Sequence, residues 1–254
     1  MGETMDDDAL ARRLATIAGD ALLDVQRMHG SSTADVATLK ALGDRTAQSV
    51  LADELAAERP QDSVLSEEAK DDPARLSANR VWIIDPLDGT REFAEARDDW
   101  AVHVALWEDG RLVSGAVALP ALGLTLGADD PTKIWPVPHP MRIAVSRTRP
   151  SDLVISVAAA LGAELVPMGS AGFKTSAVVR GEVDAYLHTG GQYEWDSAAP
   201  VAIAQAAGLF AARIDGSRLE YNRPDPYLPD LMICNPNLST ELLAQVQAYT
   251  RGEK

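Results

Sequence analysis

The chain has 254 residues, 46% of them hydrophobic, with 38 acidic side chains against 23 Lys and Arg, for a formal net charge of −15. That length and apolar fraction fit one large domain or two small ones around a sizeable core. The acidic excess argues against a broad surface for polymeric nucleic acid or anionic membrane, yet permits one small anionic ligand held through bound cations.

The single cysteine, Cys234, excludes an intrachain disulfide and fits a reducing, cytoplasmic setting. Met1 to Asp8 is acidic and lacks the basic-then-apolar order of a signal peptide, and no apolar run approaches a membrane span. Leu10, Leu14, Ile17, Ala21, Val25 and Met28 recur at helical spacing, which predicts a helix over about 6–29 that ends at Gly30-Ser31-Ser32-Thr33. A second helix is expected from about Asp44 to Glu58, with Ala47, Val50, Leu51 and Leu55 inward. The stretch between, Gly30 to Gly43, reads as a loop that could close over a ligand.

Ser63 to Ser66 reads as a short strand leading into Glu67-Glu68, and Asp71-Asp72-Pro73 as a loop. Val81-Trp82-Ile83-Ile84 is a buried strand. Trp100–Trp107 and Arg111–Leu119 flank Glu108-Asp109-Gly110, a hairpin signal. Asp129 to Pro140 is rich in proline and is the expected boundary between residues 1–138 and residues 139–254. Past it, strands (Arg142–Val145, Val183–Leu187) alternate with helices (Ser151–Leu161, Gly172–Val179, Ser197–Ala207), a layered α/β pattern. Leu231–Cys234 reads as a strand with Cys234 buried, and Ser239–Thr250 as a helix.

The chemistry centres on Asp85-Pro86-Leu87-Asp88-Gly89-Thr90, where two carboxylates leave a strand end together and proline and glycine shape the turn. If a helix starts there, the N–H groups of Gly89 and Thr90 are free to bind an anion. Carboxylates for hard cations beside amides for phosphate are the parts of a metal-dependent phosphate-ester hydrolase. Haloacid-dehalogenase-type phosphatases offer a rival, but their acids stand two positions apart. Asp85 and Asp88 stand three apart, which suits two ligands of one metal cluster better than a nucleophile and an acid on one strand face. Glu67 sits at a strand end, as Asp85 does. Asp196 and Asp44 both read as helix N-caps, Asp196 before Ser197-Ala198-Ala199-Pro200 and Asp44 after Gly43. Capping does not prevent ligation.

These segments together resemble the lithium-sensitive, magnesium-dependent phosphatases typified by inositol monophosphatase. Asp85 to Thr90 resembles the family signature, Ser66-Glu67-Glu68 its Gly-Glu-Glu, Gly169-Ser170-Ala171 its Gly-Ser-Ala, and Trp195 to Ala199 its Trp-Asp-x-Ala-Ala. The match spans about residues 40 to 215. It implies an α+β or α/β fold, a layered αβαβα sandwich of the sugar phosphatase and inositol monophosphatase type. The first half would carry most metal ligands, and the second Asp196 and the substrate side. By the resemblance, Glu67, Asp85 and the carbonyl of Leu87 would hold one Mg²⁺, and Asp85, Asp88 and Asp196 a second. Glu67, Asp44 and Thr90 would position and deprotonate the attacking water, with room for a third Mg²⁺. Asp44 would pair with Thr90, although Ala41 stands where the family usually has threonine. The resemblance also allows a homodimer.

Finer features resemble the CysQ branch, the phosphatases of 3′-phosphoadenosine 5′-phosphate. Arg91-Glu92-Phe93 is close to its Lys-Glu-Phe and Glu194-Trp195-Asp196 to its Glu-Trp-Asp. Ser146-Arg147 resembles a segment that faces the nucleotide, and Ser170 and Lys174 resemble its Gly-Ser-Ser/Ala-x-x-Lys. Gly89, Thr90, Arg91, Ser146, Arg147, Ser170 and Lys174 are thus the expected substrate contacts, with Lys174 reaching the phosphate that is not cleaved. Thr189 stands where inositol monophosphatases place a sugar-orienting Glu. Pro200, Gln205 and the short Leu122–His139 loop depart from the family pattern, so inositol 1-phosphate and fructose 1,6-bisphosphate stay open as main or side substrates. A ligand sensor without turnover is the non-enzymatic alternative. His103, among apolar neighbours, reads as structural, Trp195 as packing, and His188 as a residue at a strand end.

Overall fold

Strand β2 (Arg80–Asp88) is apolar without a break from Val81 to Ile84 because both of its faces are covered there. Val81 and Ile83 point into one core, Trp82 and Ile84 into another. This computed structural model describes residues 5–29 and 36–252. The strand belongs to a five-stranded sheet in the order β1-β2-β3-β4-β5, with β1 (Ser63–Ser66) parallel to β2 and the rest antiparallel: β3 (Ala101–Glu108), β4 (Arg111–Leu119) and β5 (Leu124–Gly127). The second sheet runs β7-β6-β8-β10-β9, from β6 (Arg142–Ser146), β7 (Glu164–Met168), β8 (Ala185–Tyr193), β9 (Phe210–Ala212) and β10 (Tyr227–Cys234).

Helices α1 (Asp7–His29) and α2 (Val36–Glu58) cover the outer face of the first sheet, where Leu10, Leu14, Leu22, Leu51 and Leu55 meet Trp82, Val104 and Leu106. A five-residue helix, α3 (Thr90–Ala94), follows β2. Helices α5 (Ala171–Val179) and α6 (Glu194–Ala206) lie between the sheets, in a core that joins Ile83, Ala105 and Val117 to Tyr186, Leu231 and Ile233. Helices α4 (Asp152–Leu161) and α7 (Ser239–Thr250) cover the far face of the second sheet with Ile143, Leu187, Met232 and Cys234. The layers are therefore αβαβα, as expected, and the strands of both sheets alternate side chains between neighbouring cores.

Several boundaries differ from the expectation. Helix α2 begins at Val36, so residues 36–43 are helix and Asp44 lies inside it, not at its N-cap. The reason lies in Gly43, where a Cβ would meet Phe93 Cε1 at 2.8 Å and Leu87 Cδ2 at 3.0 Å. Gly43 serves close helix packing and does not start the helix. The turn expected at 30–33 lies outside the described residues. Met28, expected inward, is 66% exposed. Helix α6 starts three residues before Ser197, which makes Asp196 its third residue, not its N-cap, and puts Pro200 in its interior. Strand β8 starts later and runs further than Val183–Leu187, through Gly190 and Gly191, so His188 lies within it. Strands β5, β7 and β9 carry no strong alternation and are not marked in the sequence.

Candidate active site

The end of β2 is bent by its own sequence. Asp85 pairs with His103 and Asp88 with Ala101, so three steps on β2 match two on β3. In a regular strand, residues three apart face opposite sides. The bulge at Pro86-Leu87 turns Asp85 and Asp88 to the same side. The turn is held internally: the Leu87 N–H donates to Asp85 Oδ1 at 3.0 Å, and the Thr90 hydroxyl to the Leu87 carbonyl at 3.2 Å. Gly89 caps α3 at φ 87°, a left-handed value that favours glycine.

Asp196 reaches the same point from α6. Its carboxylate accepts the Tyr193 N–H at 2.6 Å, which fixes it from the third helical position. Single ligand atoms of Asp85, Asp88 and Asp196 lie within 4.8 Å of one another. Glu67, at the end of β1, joins them with its carboxyl against that of Asp85. Burial and then Glu67, Asp88 and Asp196 push the Asp85 carboxyl well above its usual range. Burial and Asp88 raise Asp196 to about 6, and partial desolvation and Asp196 raise Glu67, which still reaches solvent, to about 7. Four acids crowded in this way repel each other, and a hard cation with oxygen ligands relieves that repulsion. The donor set therefore fits the metal that the sequence implies.

Asp88 behaves differently. Burial alone would raise it, but His103, Ser170 and the Gly172 N–H outweigh burial and hold it below its usual range. His103 Nε2 stands 3.2 Å from Asp88 Oδ2, and its Nδ1 is 3.0 Å from the Trp195 carbonyl. The Gly172 N–H donates to the same carboxylate at 2.7 Å, and so does the Ser170 hydroxyl. Ser170 adopts φ 41°, a strained value for a residue with a Cβ, and caps α5 while it bonds Asp88. His103 is thus a correction: it is fully buried and sits against the acid cluster, where the sequence suggests a merely structural residue. Trp195 packs as expected and also offers its carbonyl to His103.

Two clefts open from the cluster and share Asp88, Ser146 and Lys174. One, about 390 Å³, is lined by Lys40, Arg91, Arg147, Arg149 and Lys174, five cations in an acidic chain. Arg147 is engaged there, since it donates to Glu92 and Glu95 at 2.9 and 2.8 Å. Lys174 is no surface cation. It is 6% exposed, its Nζ donates to the carbonyls of Gly169 and Ser170, and burial lowers its pKa to about 8. Lys40, Arg91 and Arg149 form no ion pair among the described residues. The other cleft, about 440 Å³, runs past Asp196 and His188 to Tyr193 and Tyr227. His188 is spent on its own strand, bonded to the Gly191 carbonyl and the Tyr186 hydroxyl. Thr90 and Asp44 are not paired: Thr90 bonds Leu87, and the Asp44 carboxyl, raised to about 6 by burial and Glu68, accepts no hydrogen bond among the described residues.

The Inositol monophosphatase family matches this sequence over residues 6–251. The chain belongs to that family. It is a phosphoric monoester hydrolase, and the family to which it belongs is metal-dependent. Among curated proteins it is 50% identical over 257 residues, 96% of this chain and 94% of the relative, to a 3′-phosphoadenosine 5′-phosphate phosphatase of Mycobacterium leprae (strain TN). It is 32% identical over 235 residues, 85% of this chain and 94% of the relative, to the 3′(2′),5′-bisphosphate nucleotidase CysQ of Escherichia coli (strain K12). Among solved structures, CysQ from Bacteroides thetaiotaomicron superposes with a TM-score of 0.73 at 24% identity over 89% of this chain and 96% of that one. Inositol monophosphate-bound SaIMPase-II gives 0.79 at 18% over 96% and 95%. These likenesses show the fold. No described helix is long and apolar enough to cross a membrane.

Within this inositol monophosphatase fold, the sequence reading missed His103 and Gly172. A Cβ on Gly172 would lie 2.0 Å from His103 Nε2, so the glycine exists to admit the imidazole. A signal was present: Ala101, His103 and Ala105 share one strand face, and the two alanines leave room around a polar ring.

Proposed function

We propose that this family member removes the 3′-phosphate of 3′-phosphoadenosine 5′-phosphate to give AMP, and acts likewise on the 3′-phosphosulfate. The observation that carries the reading is the cluster of Asp85, Asp88 and Asp196, with Glu67 against it, beside a cleft lined by five cations, which suits a substrate with two anionic groups. The 50% identical relative that bears that activity in its name supports it. The role follows as clearance of a by-product of sulfate assimilation in the cytoplasm, with the lithium sensitivity of the family.

Glu67, Asp85 and the Leu87 carbonyl would hold one Mg²⁺, and Asp85, Asp88 and Asp196 a second; residues 1–138 thus supply most ligands and residues 139–254 supply Asp196. Bound magnesium stabilises the charge on the entering and leaving oxygens of an in-line displacement. Glu67 accepts the proton of the attacking water, and Thr90 and Asp44 orient that water. The N–H groups of Gly89 and Thr90 face the phosphate oxygens. Ser146, Ser170, Lys174, Arg91 and Arg147 shape the walls around the substrate. His103 and Gly172 hold Asp88 in its ionised form.

The test is phosphate release with Mg²⁺ from the nucleotide bisphosphate, its phosphosulfate, inositol 1-phosphate and fructose 1,6-bisphosphate. The nucleotide should show the highest kcat/KM. A higher value for the inositol or fructose ester sinks the nucleotide reading.

A further inference from the structure

Tyr193 and Tyr227 are 46% and 49% exposed, yet both line the cleft that holds Asp88 and Asp196. Their rings meet edge to face with centroids 6.1 Å apart, and Tyr193 stacks on Trp195 at 4.8 Å with 11° between planes. The chain has only 13 aromatic residues, five Trp, five Tyr and three Phe, and three of them touch here.

The arrangement is built. Gly191 stands at φ 86°, and a Cβ there would lie 2.2 Å from Tyr227 Oη, so the tyrosine lies across β8 only because residue 191 has no side chain. The Gly191 carbonyl is bonded to His188 Nε2 at 2.9 Å, which braces the strand beneath that ring. Tyr193 directly precedes α6, and its N–H is bonded to Asp196. The aromatic group is thereby tied in position to the acid cluster.

We propose that Tyr193 and Tyr227 form the seat of the substrate's purine base, which stacks on one ring and meets the other at its edge. The inference rests on the nucleotide reading above. A ribose with 3′- and 5′-phosphates and a base sends three groups outward from one ring. The structure has three matching regions: the carboxylate cluster, the cationic cleft and the aromatic cleft, with Asp88, Ser146 and Lys174 common to the two clefts. An inositol or a sugar phosphate has no planar group for this third region. Every base has a π-face, and loss of one aromatic partner weakens base binding about tenfold or more.

The experiment compares adenosine 3′,5′-bisphosphate with 3,5-bisphosphorylated 1-deoxyribose, which keeps both phosphates and lacks the base. Wild type should prefer the base-bearing ester. Tyr193→Ala and Tyr227→Ala should each lower that preference in kcat/KM about tenfold, mainly through KM, and Tyr193→Phe and Tyr227→Phe should retain it. Gly191→Ala, which displaces Tyr227, should copy Tyr227→Ala. Alanine variants that keep the wild-type preference overturn the seat and leave the nucleotide reading intact. A wild type that turns over inositol 1-phosphate better than either ribose ester overturns the nucleotide reading itself, and the seat with it.

Discussion

Gly172→Ala is the perturbation that most directly interrogates the way Asp88 is held. Gly172 is the second residue of α5 at an ordinary helical φ, so alanine carries no backbone strain and gains up to about 1 kcal/mol in helix propensity. Against this stands a Cβ only 2.0 Å from His103 Nε2. The imidazole cannot easily yield: it is fully buried, and its Nδ1 is held by the Trp195 carbonyl at 3.0 Å. Overpacking costs about 1–3 kcal/mol, and a 2.0 Å approach belongs in the upper half of that range, about 2–3 kcal/mol, so the net loss should be at least about 1–2 kcal/mol. For a chain of this size that is a drop in Tm of roughly 2–8 °C, measurable by scanning calorimetry of the metal-free protein. The Gly172 N–H also bonds Asp88, so kcat/KM should fall beyond what lost stability accounts for. His103→Ala in the same chain removes the clash, and the double-mutant cycle should show coupling of about 1 kcal/mol or more. A Gly172→Ala protein with wild-type Tm and full activity would refute the argument.

Two further outcomes follow from the crowded acids. Asp85→Asn keeps an acceptor for the Leu87 N–H but removes a charge shared by the whole cluster; Mg²⁺-dependent phosphate release should fall at least about a thousandfold while the metal-free Tm holds or rises, and an active variant would overturn the metal assignment. Glu67 and Asp196 titrate near 7 and 6 in the folded chain against ordinary values of 4.5 and 3.8, so between those limits the folded state binds more protons and the metal-free protein loses stability as pH rises. Magnesium displaces those protons, so the Mg²⁺-induced rise in Tm should be larger at pH 8 than at pH 6, and a larger rise at pH 6 would contradict the scheme.

What the sequence reveals here depends on how local the determinant is. Asp85 and Asp88 announce themselves because an apolar run, a proline and a glycine surround them within ten residues. The αβαβα layering was legible from helices and strands that alternate, and from strand residues apolar on both faces. The start of α2 was not, because the role of Gly43 depends on Phe93 and Leu87, which lie 50 and 44 positions away. The role of Asp196 was half legible: the motif marks it, but its helix begins earlier than Ser197, and only the Tyr193 bond reveals that. His103 escapes a spacing argument because its partners come from β2, α5 and α6, and only the fold brings them together.

The contact between His103 and Gly172 crosses the proline-rich seam at 129–140, and this limits how such a chain can be recombined. A chimera that joins the first half of this protein to the second half of a relative can keep all the clustered acids and should still fail to dock if the incoming residue at 172 carries a side chain. The pair is a lock that travels only as a set, so exchange of halves selects first for steric match beside Asp88.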